Sequence, residues 1–186
     1  WTRAAAGGLD AVRAVLPLAW PRWAGPVVLV VGAPPTPALG ATRARPALPI
    51  AQVAADVPAG RTRDGAVAAT LARLALATAQ PPAAGWPAWL DAAVTGVADA
   101  SARGDGPSPM DMHDRRRAAG AAAISALLSA TEPDPALATA VGTWLLHPRR
   151  SQRFGALLAR LRAGDDSATA LAASYQADAA RIVRER

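Results

Sequence analysis

Proline divides this chain. Nearly all of its 17 prolines fall between the periodic apolar stretches rather than inside them. A proline carries no backbone N–H and its ring clashes with the carbonyl four residues earlier, so each one opens or closes an element. The chain can therefore build only short segments, whose type is read from apolar spacing. Leu9, Val12 and Leu16 recur at helical intervals over residues 2–16, and Pro17 stops the pattern. Pro26 and Gly32 bound a β-branched run that reads as a buried strand. Residues 48–57, with Ile50 and Val53, predict a second, alanine-rich strand.

From Asp64, a residue suited to a helix N-cap, the spacing predicts a helix with Val67, Leu71, Leu74 and Ala75 on one face as far as Pro81. Pro87 opens another, with Trp89, Leu90, Ala93, Val94 and Val97 on its apolar side. Asp111 or Asp114 opens a helix through Ile124 and Leu128. Helices over 135–146 and 151–163 are stopped by Pro148 and Gly164, and Asp165 or Asp166 caps a last stretch that bends near Tyr175. The expected fold is α+β and mostly helical: one domain over 1–186, with a small α/β front part at 1–63 and a helical bundle at 64–186.

Composition removes several chemistries. With no cysteine there is no disulfide framework, thiolate metal site or cysteine nucleophile. All 20 basic residues are arginine, so no lysine-bearing phosphate loop exists, and part of the +6 net charge reflects a coding bias. The two histidines, His113 and His147, have no neighbouring G-x-S-x-G turn to make a serine triad. The longest apolar run, 26–33, is far short of a membrane span. The chain opens on Trp1 with no charged-then-apolar leader, and we expect a longer precursor.

Two consecutive helices joined by a Pro- and Gly-rich link, the second opening Pro87-Ala-Trp-Leu90, resemble the active-site pair of the thermolysin-like gluzincin zinc peptidases. In that family the first helix carries H-E-x-x-H, whose histidines bind zinc from one face while the glutamate activates the metal-bound water; the next helix supplies a glutamate as third ligand. The resemblance sets Ala69 and Arg73 at the histidine positions, Thr70 at the general base and Ala92 at the third ligand. The 19-residue step from Arg73 to Ala92 agrees with one large branch of the family. Phe154-Gly-Ala-Leu-Leu-Ala-Arg-Leu-Arg-Ala-Gly-Asp165, followed by Tyr175 and Asp178, is similar to the family's helical tail, and the likeness covers nearly the whole chain.

The departures decide what the resemblance implies. Methyl groups at 69 and 92 offer zinc no lone pair, and an arginine at 73 brings positive charge to a place meant for a dication. Of the two glutamates, Glu132 and Glu185, neither stands at a ligand or base position. The implied protein is thus a pseudopeptidase with no cofactor: a binding or scaffolding domain whose former substrate cleft holds a peptide or a neighbouring protein domain. An extracytoplasmic location, as in many bacterial proteins of this type, follows from the resemblance alone.

Other positions carry two readings each. Trp86 and Trp89 line the former cleft, or they anchor a core of small side chains. Arg117, with Gly120, matches a family Y-x-x-G stretch, or it is a solvated arginine. Asp111, His113 and Asp114 concentrate metal-capable groups, or they are helix-cap carboxylates with a surface histidine. Arg115 to Arg117 grip phosphate, or they form a solvated face. His147 is expected to interact with helix-end carbonyls. An alternative function follows from the arginines: a basic face of Arg115 to Arg117 with Arg149, Arg150 and Arg153 that binds nucleic acid or an acidic partner with steep salt dependence.

Overall fold

A computed structural model describes residues 1–16, 28–32, 50–54, 57, 62–104 and 108–185. In chain order the elements are α1 (Thr2–Val15), β1 (Val28–Gly32), β2 (Ile50–Ala54), α2 (Arg63–Thr78), α3 (Ala88–Arg103), α4 (Pro109–Ser129), α5 (Pro135–Leu145), a 3-10 turn (Ser151–Arg153), α6 (Phe154–Ala163), α7 (Ser167–Tyr175) and α8 (Ala179–Arg184). The protein is mostly helical. The two strands pair in parallel, with Val28 opposite Ile50 and Val31 opposite Val53. The expected strand ends at 26–27, 48–49 and 55–56 lie outside the described residues, as do Trp20 and Trp23.

Helix α2 packs on α1, α3 and β2, and α3 packs in turn on α1 and α5; α4 lies on α5 and α8, and α6 on α7. Alanine and valine share the contacts between these helices with leucine. Val12, Val67, Ala68, Ala72, Ala93 and Ala98 are wholly buried, so the helices approach closely with little side-chain entropy lost. Helix α5 comes against the backbone of α3 at Gly142, where a Cβ would stand 2.7 Å from the Ala93 carbonyl oxygen. Leucines and a few aromatic residues supply the volume, with Trp89, Trp144, Tyr175 and Phe154 fully buried; Trp1 and Trp86 pack on the core partly buried.

The caps explain why elements begin where they do, and two differ from the sequence reading. Thr62, not Asp64, caps α2 by accepting from the Gly65 N–H at 3.1 Å. Helix α4 begins at Pro109, because Ser108 and Asp111 form a reciprocal capping box in which each side chain meets the other's backbone. Asp111 is thereby a cap partner rather than the first cap. A third difference lies inside α4: Gly120, at φ 78° and ψ 170°, breaks the helix into two halves. That backbone region is open essentially to glycine alone. The first half turns Met112, His113 and Arg116 inward, and the second turns Ile124, Leu127 and Leu128. The bend expected near Tyr175 is a break between α7 and α8, with Gln176 left-handed at φ 54° and with Asp166 and Asp178 as the two caps.

No helix among the described residues is long and apolar enough to cross a membrane.

Candidate functional site

An open cleft of about 440 Å³ runs along α3, with α5 and the start of α4 opposite and Arg73 of α2 at one end. Ala92, Gly96 and Ala100 border it from α3, four residues apart and therefore on one face of the helix. The small side chains of Ala92 and Ala100 leave space beside the helix, while Gly96 lets the Thr139 side chain of α5 pack against it.

Charged pairs stand on its walls. The Arg73 guanidinium donates through Nε to both Asp91 oxygens, at 3.0 and 3.1 Å, and through Nη2 to Oδ2 at 2.8 Å. This fork geometry raises the arginine's pKa, chiefly through the hydrogen bond to Asp91. Further along α3, Asp99 and Arg103 pair at 3.1 Å, one helical turn apart. Asp99 is almost completely buried; its Oδ1 and the Arg103 Nε make no hydrogen bond among the described residues. Arg115, exposed on α4, completes the charge at the rim. The Thr95 and Thr139 hydroxyls are already committed to the carbonyls of Asp91 and Pro135, at 2.7 Å each.

Of the four positions aligned with a zinc site, Arg73 and Ala92 border this cleft. Ala69 lies buried in α2 and Thr70, half-buried, donates its hydroxyl to the Ala66 carbonyl at 2.8 Å. The three side chains expected at a cleft are not among those lining this one. Trp89 is a core residue at 0% exposure, its Nε1 donating to the Ser167 hydroxyl. Trp86 donates to the Leu76 carbonyl at 2.7 Å and fastens the α2–α3 link to the end of α2. Arg117 is exposed on α4, three residues before the Gly120 break.

The remaining candidates are dispersed by their partners. Among the described residues no three His, Cys, Asp or Glu side chains gather as a metal-binding group. Asp111 is held below its ordinary pKa by the Ser108 side chain and backbone, whereas His113 is buried with Nδ1 3.4 Å from Asp114. A surface histidine was expected there; the inward turn of α4 puts it inside. His147 also differs, because its Nδ1 accepts the Arg149 N–H at 3.3 Å instead of donating to carbonyls. Burial, with Arg150 and Arg149 close by, lowers its pKa.

The arginine triplet is split. Arg116 is 2% exposed, donating to the carbonyls of Ile182, Ala140 and Glu185 at 3.1, 2.9 and 3.1 Å. Burial, and secondarily Arg150, brings its pKa down to about 10, so it stays charged at neutral pH. Arg150 stacks over Trp144 and pairs with Glu185, and Arg153 donates to the Tyr175 carbonyl. Three of the six arginines expected on one basic face thus have partners inside the protein; Arg115, Arg117 and Arg149 are exposed.

The sequence reading missed Asp91, Asp99 and Arg103. The four-residue spacing of Asp99 and Arg103 on a helix was the available signal; the step from Arg73 to Asp91 crosses two helices and had none.

Comparison with known proteins finds no family model that matches the chain, and no curated protein or solved structure that matches it significantly.

Proposed function

We propose that this is a non-catalytic relative of the thermolysin-type zinc peptidases, a pseudopeptidase domain whose cleft holds a peptide segment or a neighbouring protein domain. The observation that carries the reading is that Arg73 and Ala92 border one cleft from consecutive helices, with Asp91 closing on the guanidinium. In the resemblance these are the positions of the second zinc histidine and the third ligand. A fixed organic cation, neutralised by the adjoining carboxylate, then stands where a dication would, while Ala69 and Ala92 present methyl groups. Thr70 has its hydroxyl turned back on its own helix and carries no carboxylate to take a proton from water. What remains is concave surface with charged walls, which suits binding rather than hydrolysis. In this reading α1, β1 and β2 represent the α/β front part, and the location is extracytoplasmic.

Rebuilding the ligands tests the alignment. Ala69→His, Arg73→His and Ala92→Glu together are expected to bind one zinc per chain, and the unaltered protein none, by elemental analysis after desalting. A triple variant with native circular dichroism and no zinc breaks the alignment. If the buried His at 69 prevents folding, the Arg73→His/Ala92→Glu pair, at less buried positions, is expected to bind cobalt more weakly, read by its visible absorption. Peptide hydrolysis by the unaltered protein with added zinc, abolished by changing Thr70 or Arg73, overturns the non-catalytic assignment. The alternative, a nucleic-acid or acidic-partner surface, rests on exposed Arg115, Arg117 and Arg149 and requires affinity that collapses as salt rises.

A further inference from the structure

The geometry points to a ligand class for the cleft: an extended peptide segment with an acidic side chain, whose carboxylate meets Arg115. This rests on reading the cleft as a peptide site, and it follows from which polar groups there are still free. Three arginines and two aspartates line it. Arg73 is engaged by Asp91 through both carboxylate oxygens, and Arg103 by Asp99. Arg115 has no ion-pair partner within hydrogen-bonding range among the described residues. The acidic group close to it on α4, Asp111, is occupied at 2.8 Å by both the N–H and the hydroxyl of Ser108. Asp111 still acts on Arg115 through space, but among the lining residues guanidinium groups outnumber carboxylates by one, and the arginine without a carboxylate in contact is Arg115.

The rest of the lining argues for a chain rather than a polyanion or a small polar molecule. Along α3 the lining is Ala92, Gly96 and Ala100; the Thr139 side chain packs over Gly96, and the methyl groups of Ala92 and Ala100 leave room for a chain on either side of it. The hydroxyls of Thr95 and Thr139 have donated their protons to their own helices and keep only acceptor capacity, and Met112 is buried, so this part of the cleft offers few free donors. The cleft is open to solvent rather than enclosed, so it does not require a ligand small enough to be engulfed. A phosphate backbone would bring several charges past the Asp91 and Asp99 carboxylates and find one arginine free, a poor exchange for nucleic acid. One carboxylate against one guanidinium balances, and the planar fork of arginine fits it.

The probe is an acetylated, amidated alanine pentapeptide with a central glutamate, compared with its glutamine counterpart, on the isotope-labelled domain at low salt. The expected result is movement of the Gly96, Ala100 and Thr139 amide signals, with the glutamate peptide binding about threefold more tightly, as one exposed ion pair at low salt warrants. Arg115→Gln should erase that preference, while Arg117→Gln, exposed on the same helix, should keep it. Equal binding of the two peptides overturns the carboxylate assignment and leaves the cleft reading standing. If neither peptide moves those signals, both fall.

Discussion

Arg116→Met separates two accounts of a buried cation. Methionine keeps most of the aliphatic stem and deletes the guanidinium, which reaches three carbonyls in two helices. The Ala140 carbonyl lies inside α5 and retains its own helical partner. The Ile182 and Glu185 carbonyls are at the end of α8, where no further turn satisfies them. Each buried acceptor left without a donor costs about 1–3 kcal/mol, and removing the desolvated charge returns part of that sum. We expect a net loss of about 2–4 kcal/mol, equivalent to roughly 5–15 °C in a chain of this size. In urea the midpoint should fall with little change in slope, and amide exchange in α8 should accelerate more than in α2. Arg116→Lys should recover little, because one ammonium cannot span three carbonyls in two helices. An unchanged midpoint with α8 equally protected would refute the reasoning: the burial of the guanidinium would then cost as much as its bonds return.

Gly120→Ala forces a Cβ onto a backbone conformation reserved for glycine and should cost about 1–3 kcal/mol in urea denaturation, whereas Ala121→Gly next to it should cost under about 1 kcal/mol. Gly142→Ala places a methyl against the Ala93 carbonyl, so the α3–α5 contact must open; a loss of about 1–3 kcal/mol is expected, and a neutral result would mean the helices slide apart freely. His147 is easier to deprotonate in the folded protein, so the unfolded chain takes up its proton first as pH falls below the ordinary value of 6.5. The urea midpoint should therefore decline from about pH 7 to pH 5.5, and His147→Gln should flatten that part of the profile. Asp166 is held below its ordinary pKa by Thr169, so its cap is present above 3.8 and lost as pH falls through the folded value; Asp166→Asn should remove the acid-induced fraying of α7, read by amide exchange.

Much of the element order was legible because its signals are local. Pro87 and Pro135 stand at the starts of α3 and α5, Gly104 and Gly164 at the left-handed ends of α3 and α6, and Asp166 caps α7. Where a cap can be supplied by either of two neighbours, the reading moved by a residue or two, as with Thr62 and Asp64. The candidate site was harder. Its vestigial positions were named by resemblance, but the cleft is bounded by residues of α2, α3, α4 and α5, and only packing brings those faces together.

The sequence by itself determined where most helices begin and end to within a few residues, which faces are apolar, and that cysteine and lysine chemistry is absent, since these depend on residue type and on neighbours a few positions away. Tertiary structure alone decided which charges are spent. In the Arg115-Arg116-Arg117 triplet the outer two point to solvent and the middle one is sealed among three carbonyls. A chemically uniform run divides in this way because helix rotation and the Gly120 break set each side chain's direction. The partners then come from α5, α8 and the residue after it, as many as 69 positions away, a distance over which no local pattern carries information.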